Sequence, residues 1–260
     1  MRVFIFTDLE GASGVCRFFQ TREVGPRYDE ACRLLMGDIN ACVDGLLEAG
    51  ADDIVVCDGH GKPYNFVPEM MHPKARHVVG GWGDRPRGGL GPGYDAVILL
   101  AHHAMAGTPD GVLYHTQSSK RGNRYWYNGR ESGEIAQEAL IAGHFDIPLV
   151  MVTGDDAVCR EAREFFGDEI VTVSVKQGLG REAAVFVAPQ VARERIRGGA
   201  VRAVAAIPNC KPYKIDLPIT GRLAFPDKET ADAFKPSRAK RVDDLTFEAT
   251  FDSALDVVKF

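Results

Sequence analysis

Two carboxylates one residue apart, Asp8 and Glu10, follow directly on the apolar run Val3-Phe4-Ile5-Phe6, in the stretch Thr7-Asp8-Leu9-Glu10-Gly11. Side chains at i and i+2 of an extended segment point the same way. Both carboxylates can therefore converge on one point at the carboxyl end of a buried strand, the edge where open α/β sheets bind ligands. Carboxylates that close repel each other unless a cation or a proton lies between them. Taken alone, the pair also suits a solvated loop with a helix N-cap. Three further segments carry matching chemistry: Val56-Cys57-Asp58-Gly59-His60-Gly61, Leu100-Ala101-His102-His103-Ala104, and Gly133-Glu134. Asp8, Glu10, His60, one of His102 and His103, and Glu134 all fall at a strand's carboxyl end or in the first turn of a helix. In a parallel sheet these positions are one edge of one crevice. Imidazole and carboxylate donors without thiolate suit zinc, with manganese or cobalt as alternatives. Five ligands exceed the needs of one four-coordinate zinc. A shared carboxylate would serve two ions about 3.5–4 Å apart, as in two-metal hydrolytic sites.

Such a cluster needs alternating strands and helices to position it. Apolar runs predict strands at Arg2–Thr7, 53–57, 96–101, 149–153 and 170–175. Helical periodicity predicts helices at 28–49, 133–144, 155–166 and 189–198. This alternation implies the α/β class with a mostly parallel, covered sheet. From about residue 211 the pattern changes, and 214–219 and 245–251 read as alternating strands of a smaller mixed α+β region. A soft boundary near residue 200 separates a metal-binding catalytic domain, 1–200, from a C-terminal region, 201–260, belonging to the same domain or to an oligomer interface. The glycine- and proline-rich stretch 80–93, with Arg85 and Arg87 inside it, leads into a strand. A phosphate-gripping loop would lead into a helix, so this one reads as a surface excursion, with a mobile flap or a subunit contact as the alternatives.

The bulk properties exclude several classes. A chain of 260 residues with 45% hydrophobic and 26% charged residues is an ordinary globular protein of one large or two smaller domains. A net charge of -5 gives no footprint for nucleic acid or an anionic membrane, and Arg238-Ala239-Lys240-Arg241 is too short to supply one. No apolar stretch approaches the roughly 18 residues of a membrane span. The chain enters a strand at once, which predicts no signal peptide. The six cysteines are scattered without a C-x-x-C pair, as in reduced thiols of a cytoplasmic protein.

These residues resemble the zinc-dependent D-aminopeptidases of the dipeptide-transport operon type, peptidase family M55. Thr7-Asp8-Leu9-Glu10-Gly11, Asp58-Gly59-His60, His103-Ala104, Thr108-Pro109 through His115, Asn128, Gly133-Glu134 and Gly154-Asp155-Asp156 carry the resemblance. It runs in order over nearly the whole chain and is looser after about residue 185. The resemblance implies a metallopeptidase that removes N-terminal D-amino acids from short peptides of the D-Ala-D-Ala type. It implies two zinc ions held by Asp8, Glu10, His60, His103 and Glu134, with His115 catalytic. It further implies a ring-like homo-oligomer, a decamer, with sites facing an internal channel. His102 and His103 would point to opposite faces if the strand ran through both, and the resemblance selects His103.

The expected mechanism has Asp8 bridging the ions while a metal-activated water attacks the scissile carbonyl. His115 would pass a proton to the leaving amine or stabilise the oxyanion. It follows Gly111-Val112-Leu113-Tyr114, expected as a short strand returning to the crevice. Asn128, Asp155 and Lys176 are candidates for substrate contact or for support behind the ligands: Asp155 as an N-cap that also orients an imidazole, Lys176 facing a substrate carboxylate or a neighbouring acid. Two departures from the family pattern stand out. Thr7 replaces the usual Ser, and one extra residue near Asp110 separates His103 from His115, which exposes substrate choice to change.

Two other readings compete. The opening strand also resembles that of haloacid-dehalogenase-type magnesium phosphatases, which lead into Asp-X-Asp-Gly-Thr and attack phosphorus with the first Asp, here Asp8. Glu10 and Ala12 stand where that motif needs its second Asp and its hydroxyl, and magnesium leaves His60, His103 and His115 without a purpose. A non-catalytic metal-binding assembly protein would need coordinatively closed metals.

Overall fold

The computed structural model describes residues 1–61, 64–81 and 86–260. Arg85 of the glycine-rich stretch lies outside the described residues. The chain opens with β1 (Arg2–Thr7), a short α1 (Phe19–Arg22), the long α2 (Pro26–Glu48), β2 (Asp53–Asp58), β3 (Arg76–Val78) and β4 (Ala96–His102). A second stretch gives β5 (Arg124–Tyr127), β6 (Arg130–Glu131), α3 (Glu134–His144), β7 (Leu149–Asp155), α4 (Asp156–Phe166), β8 (Val171–Gly180) and β9 (Ala183–Phe186). The chain closes with α5 (Pro189–Ala206), β10 (Ile219–Ala224), α6 (Lys228–Ala233), β11 (Lys240–Arg241) and β12 (Thr246–Phe251).

Strand β1 is apolar on both sides, with Val3 and Ile5 in one core cluster and Phe4 and Phe6 in the other. A strand buried on both faces belongs inside a parallel sheet. The seven-stranded sheet runs β3-β2-β1-β4-β7-β8-β9, parallel throughout except for the closing β8–β9 pair. Helices α2 and α5 cover one face through Leu35, Met36, Ile39, Ile196 and Ala200. Helices α3 and α4 cover the other through Ile135, Ala139, Ala157 and Val158. The expected α/β class with a mostly parallel covered sheet is what the fold shows. Strand order reverses between β1 and β4, which makes the crevice at their carboxyl ends a topological switch point.

A second, antiparallel sheet runs β11-β12-β10-β5-β6 and joins the α3 side of the core. It draws β5 and β6 from the middle of the chain, and residue 200 lies within α5. Residues 214–219 do not form the expected strand. Pro218 cannot donate to a ladder, and the strand begins at Ile219. Helix α5 outruns its expected end at 198 because Ala200 and Ala203 are fully buried beyond the Gly198-Gly199 pair, and that burial outweighs the roughly 1 kcal/mol a helical glycine costs. Among the described residues no helix is long and apolar enough to cross a membrane, and all six cysteines are free.

Candidate metal centre

The end of β1 delivers the first two acids. Asp8 N continues the sheet by donating to Leu100 O (2.9 Å), and Gly11 N donates to Ala101 O (2.7 Å). At Gly11 a Cβ would lie 2.1 Å from the His102 carbonyl oxygen, so only glycine lets this loop press against the end of β4. That end is bent. Ala101 has φ +63°, a left-handed conformation costing an alanine about 1–2 kcal/mol, and its N–H donates to Thr153 Oγ1 (2.8 Å). The bend turns His103 toward Asp8. His102 is buried beside Phe6 (6.1 Å between rings) with both ring nitrogens unpartnered. The two histidines do separate as expected.

Five buried or nearly buried groups converge. His60 Nδ1 lies 2.9 Å from Asp8 Oδ1 and 3.0 Å from Glu10 Oε2. His103 Nε2 lies 3.3 Å from Asp8 Oδ2 and 3.4 Å from Glu134 Oε1. His115 joins them: its Nε2 is 3.7 Å from Glu134 Oε1, and its ring stacks on His103 with centroids 3.9 Å apart. Each imidazole spends its other nitrogen on a main-chain carbonyl. His60 Nε2 donates to Thr21 O (3.0 Å), His103 Nδ1 to Ala104 O (3.0 Å), and His115 Nδ1 to Leu113 O (2.8 Å). That bond fixes the tautomer and turns the remaining lone pair toward the carboxylates, the outer support of a metal-ligating histidine.

The donor set fits a cation. Two donors on one tetrahedral zinc stand about 3.3 Å apart, given bonds of roughly 2.0–2.1 Å. The separations here, 2.9 to 3.7 Å, straddle that value. Glu10 Oε2 and His103 Nε2 are buried without a hydrogen-bond partner although polar atoms surround both. Close approach without hydrogen-bond geometry is how ligands of a common centre meet. Asp8, Glu10 and His103 form one group with ligating distances; His103, His115 and Glu134 form another. None is a thiolate, which suits zinc.

The electrostatics state the same demand. Burial and the Glu10 charge push Asp8 up to about 7. Burial would raise Glu10 too, but the His60 charge holds it well below the usual range. His103 rises to about 10 against its burial because of Glu134, and Glu134 falls to about 2 because of His103. Burial and the neighbouring His103 charge lower His115 to about 4. Two buried carboxylates and a partly buried third thus require positive charge beside them, as protons on His60 and His103 or as a metal.

The supporting residues divide. Asp155 caps α4, accepting from Val158 N (2.8 Å), and its second oxygen accepts from Val112 N (2.5 Å), which ties down the segment carrying His115. It reaches no imidazole. Residues 111–114 form a turn with Leu113 at φ +56°, not the expected strand. Lys176 is fully buried, and its ammonium donates to the carbonyls of Glu10 (2.6 Å), Ala12 (3.0 Å) and Val15 (2.5 Å). All three donors are occupied, so it holds the Glu10 loop and does not face a substrate. Asn128 is exposed in the β5–β6 turn and bridges Asp216 O (2.9 Å) and Thr220 N (2.8 Å); it is not brought to the cluster.

The cluster opens into a cavity of about 320 Å³. On its wall Arg87, at φ +37°, pairs with Glu138 through two contacts of 2.6 and 2.5 Å. The stretch around Arg87 is therefore not a plain surface excursion. The signal was present in sequence: Glu138 lies four residues after Glu134, on the same helix face.

Imidazoles and carboxylates meeting at the switch point of a parallel sheet, at the head of a pocket, are the kind of site that metal-dependent hydrolases use. The D-aminopeptidase family model, peptidase family M55, matches residues 1–260, and the chain belongs to that family. A D-aminopeptidase of Bacillus subtilis (strain 168) is 33% identical over 196 residues, covering 73% of this chain and 68% of that protein. A solved structure described as the zinc-dependent D-aminopeptidase DppA from Bacillus subtilis, a self-compartmentalizing protease, shares the fold. It superposes with a TM-score of 0.91 over 99% of this chain and 94% of its own, at 24% identity.

Proposed function

We propose that this protein is a zinc-dependent aminopeptidase that releases N-terminal D-residues from short peptides of the D-Ala-D-Ala type. The observation that carries the reading is the convergence of three imidazoles, each oriented by a carbonyl, on the three carboxylates of Asp8, Glu10 and Glu134. Asp8 directs Oδ1 to the His60 side and Oδ2 to the His103 side, the disposition of a carboxylate shared by two ions. Asp8, Glu10, His60, His103 and Glu134 would together hold the zinc. Zinc, when bound, supplies Lewis acidity that polarises the scissile carbonyl and acidifies a water. His115 keeps Nε2 as a lone pair because Nδ1 donates to Leu113. It takes the proton released in the attack and delivers it to the leaving amine. The self-compartmentalizing relative supports a homo-oligomer, and the family resemblance would make it a cytoplasmic decamer whose channel admits only small peptides.

One observation favours a second role for His115: it lies at ligating distance with His103 and Glu134. A single experiment separates the two. Protein loaded with zinc and desalted retains two ions per chain, and His115→Ala retains both while D-Ala-D-Ala hydrolysis drops by about 10²–10⁴-fold. Loss of an ion in His115→Ala makes it a ligand. No zinc retained by the unmodified chain ends the proposal.

A further inference from the structure

We infer that Lys120, on the lining of the cavity into which the metal centre opens, binds the terminal carboxylate of the peptide, so that substrates are chosen by both of their ends. The inference rests on the aminopeptidase reading and extends it to substrate class. The cavity, about 320 Å³, lies at the small end of the roughly 300–1,000 Å³ range of small-ligand pockets. Its lining holds Asp8, Glu10 and Glu134 together with Arg22, Ser118, Ser119 and Lys120.

The cations on this lining have different duties. Arg87 is neutralised by Glu138. Arg22 is used to build: its Nε donates to Ser119 Oγ (2.9 Å) and its Nη2 to Ser119 O (2.5 Å). Arg181 donates to the same carbonyl (3.1 Å). Both guanidiniums lie against the Phe18 ring, at 3.5 and 4.9 Å, and Phe18 meets His115 edge-on at 6.4 Å. Two like charges are thus held on one carbonyl, fixing the peptide unit that leads into Lys120. Lys120 itself is exposed, lines the cavity and forms no ion pair among the described residues. The acid closest in sequence to Arg181, Glu182, is engaged by Arg17 and by Phe18 N.

The carboxylates of the metal centre and a lysine without an ion pair among the described residues line the same cavity. A short zwitterionic peptide offers a group to each, its terminal carboxylate to the lysine and its N-terminal end to the metal centre. Its terminal carboxylate meets Lys120 through a charge-assisted bond, which keeps it off the metal centre and leaves the N-terminal peptide bond there. Peptides too long to place both ends lose the Lys120 contact.

The test compares kcat/KM for D-Ala-D-Ala and for its C-terminal amide. The native enzyme is expected to prefer the free acid about tenfold or more, through KM, as uniform binding requires. Lys120→Gln is expected to collapse that preference toward one, and Lys120→Arg to restore most of it. Equal use of acid and amide by the native enzyme overturns the inference while leaving the aminopeptidase reading in place. So does a Lys120→Gln variant that keeps the preference, or that loses both substrates equally. Hydrolysis of neither peptide by zinc-loaded protein overturns both.

Discussion

Lys176 offers the sharpest test of how the Glu10 loop is held. Its ammonium is buried and satisfied by three carbonyls, those of Glu10, Ala12 and Val15. Lys176→Met keeps the apolar stem and deletes the three donors. Ala12 O still accepts from Val15 N (3.2 Å), so the substitution strands the Glu10 and Val15 carbonyls. Each stranded buried acceptor costs about 1–3 kcal/mol. Relief from keeping an ammonium out of water returns part of that. The net loss expected is about 3 kcal/mol, read as a lower urea midpoint at unchanged slope. One of the stranded carbonyls belongs to Glu10 itself, so the loss should extend to the metal: the variant releases zinc to a chelator faster than the native chain. Lys176→Arg should be nearly as damaging, because a planar guanidinium cannot aim three donors at one loop. A Lys176→Met protein within about 0.5 kcal/mol of native stability, holding zinc equally well, would refute the assignment of this lysine to the loop.

Asp155→Ala removes the cap of α4 and the anchor of Val112 together. It should cost about 1–2 kcal/mol in urea unfolding and lower turnover several-fold with zinc retained, since the turn bearing His115 is freed; unaltered turnover would show that Asp155 serves the helix alone. Asp38 predicts a pH effect. It is buried, accepts from Ser13 N and Oγ, and burial raises its pKa from 3.8 to about 6. Between those values the folded chain binds more protons than the unfolded one, so this group's contribution to stability falls as pH rises from about 4 to 6, by about 3 kcal/mol. Asp38→Asn, measured beside the native chain in chelator, should lack that decline. Parallel stability curves would remove Asp38 as its source.

Much of this was legible in the sequence because the site's donors sit at strand ends. A doubly buried parallel strand advertises itself as an apolar run, and the residue that ends it is the residue at the sheet's edge. Asp8, Glu10, His60 and His103 were visible for that reason, and Glu134 because it opens a helix. What stayed hidden depended on long-range packing. Lys176 directly follows the expected strand 170–175, where a substrate-facing cation would stand; only the folded chain shows it within β8 with the Glu10–Val15 carbonyls converging on it. The turn at 111–114 looked like a strand because Val112 and Leu113 are apolar, yet both are buried as loop residues, with Leu113 in a left-handed conformation that no sequence pattern announces. The 214–219 segment failed for a local reason: Pro218 blocks the ladder, a signal that alternation alone overrode.

The three histidines share one construction principle. Each is oriented by a carbonyl from a different segment: Thr21 in α1, Ala104 after β4, Leu113 in the turn. One of those segments is itself held by a buried charge placed on a main-chain group, Asp155 on the Val112 turn, and Lys176 holds the loop of the ligand Glu10 in the same way. A charge used this way acts on several backbone groups at once, so it fixes a loop where one neutral hydrogen bond could not. Loops set this firmly let three carboxylates stand within ligating distance of three imidazoles before any substrate arrives. The repulsion among those carboxylates, otherwise a liability to the fold, becomes the driving force for taking up a cation.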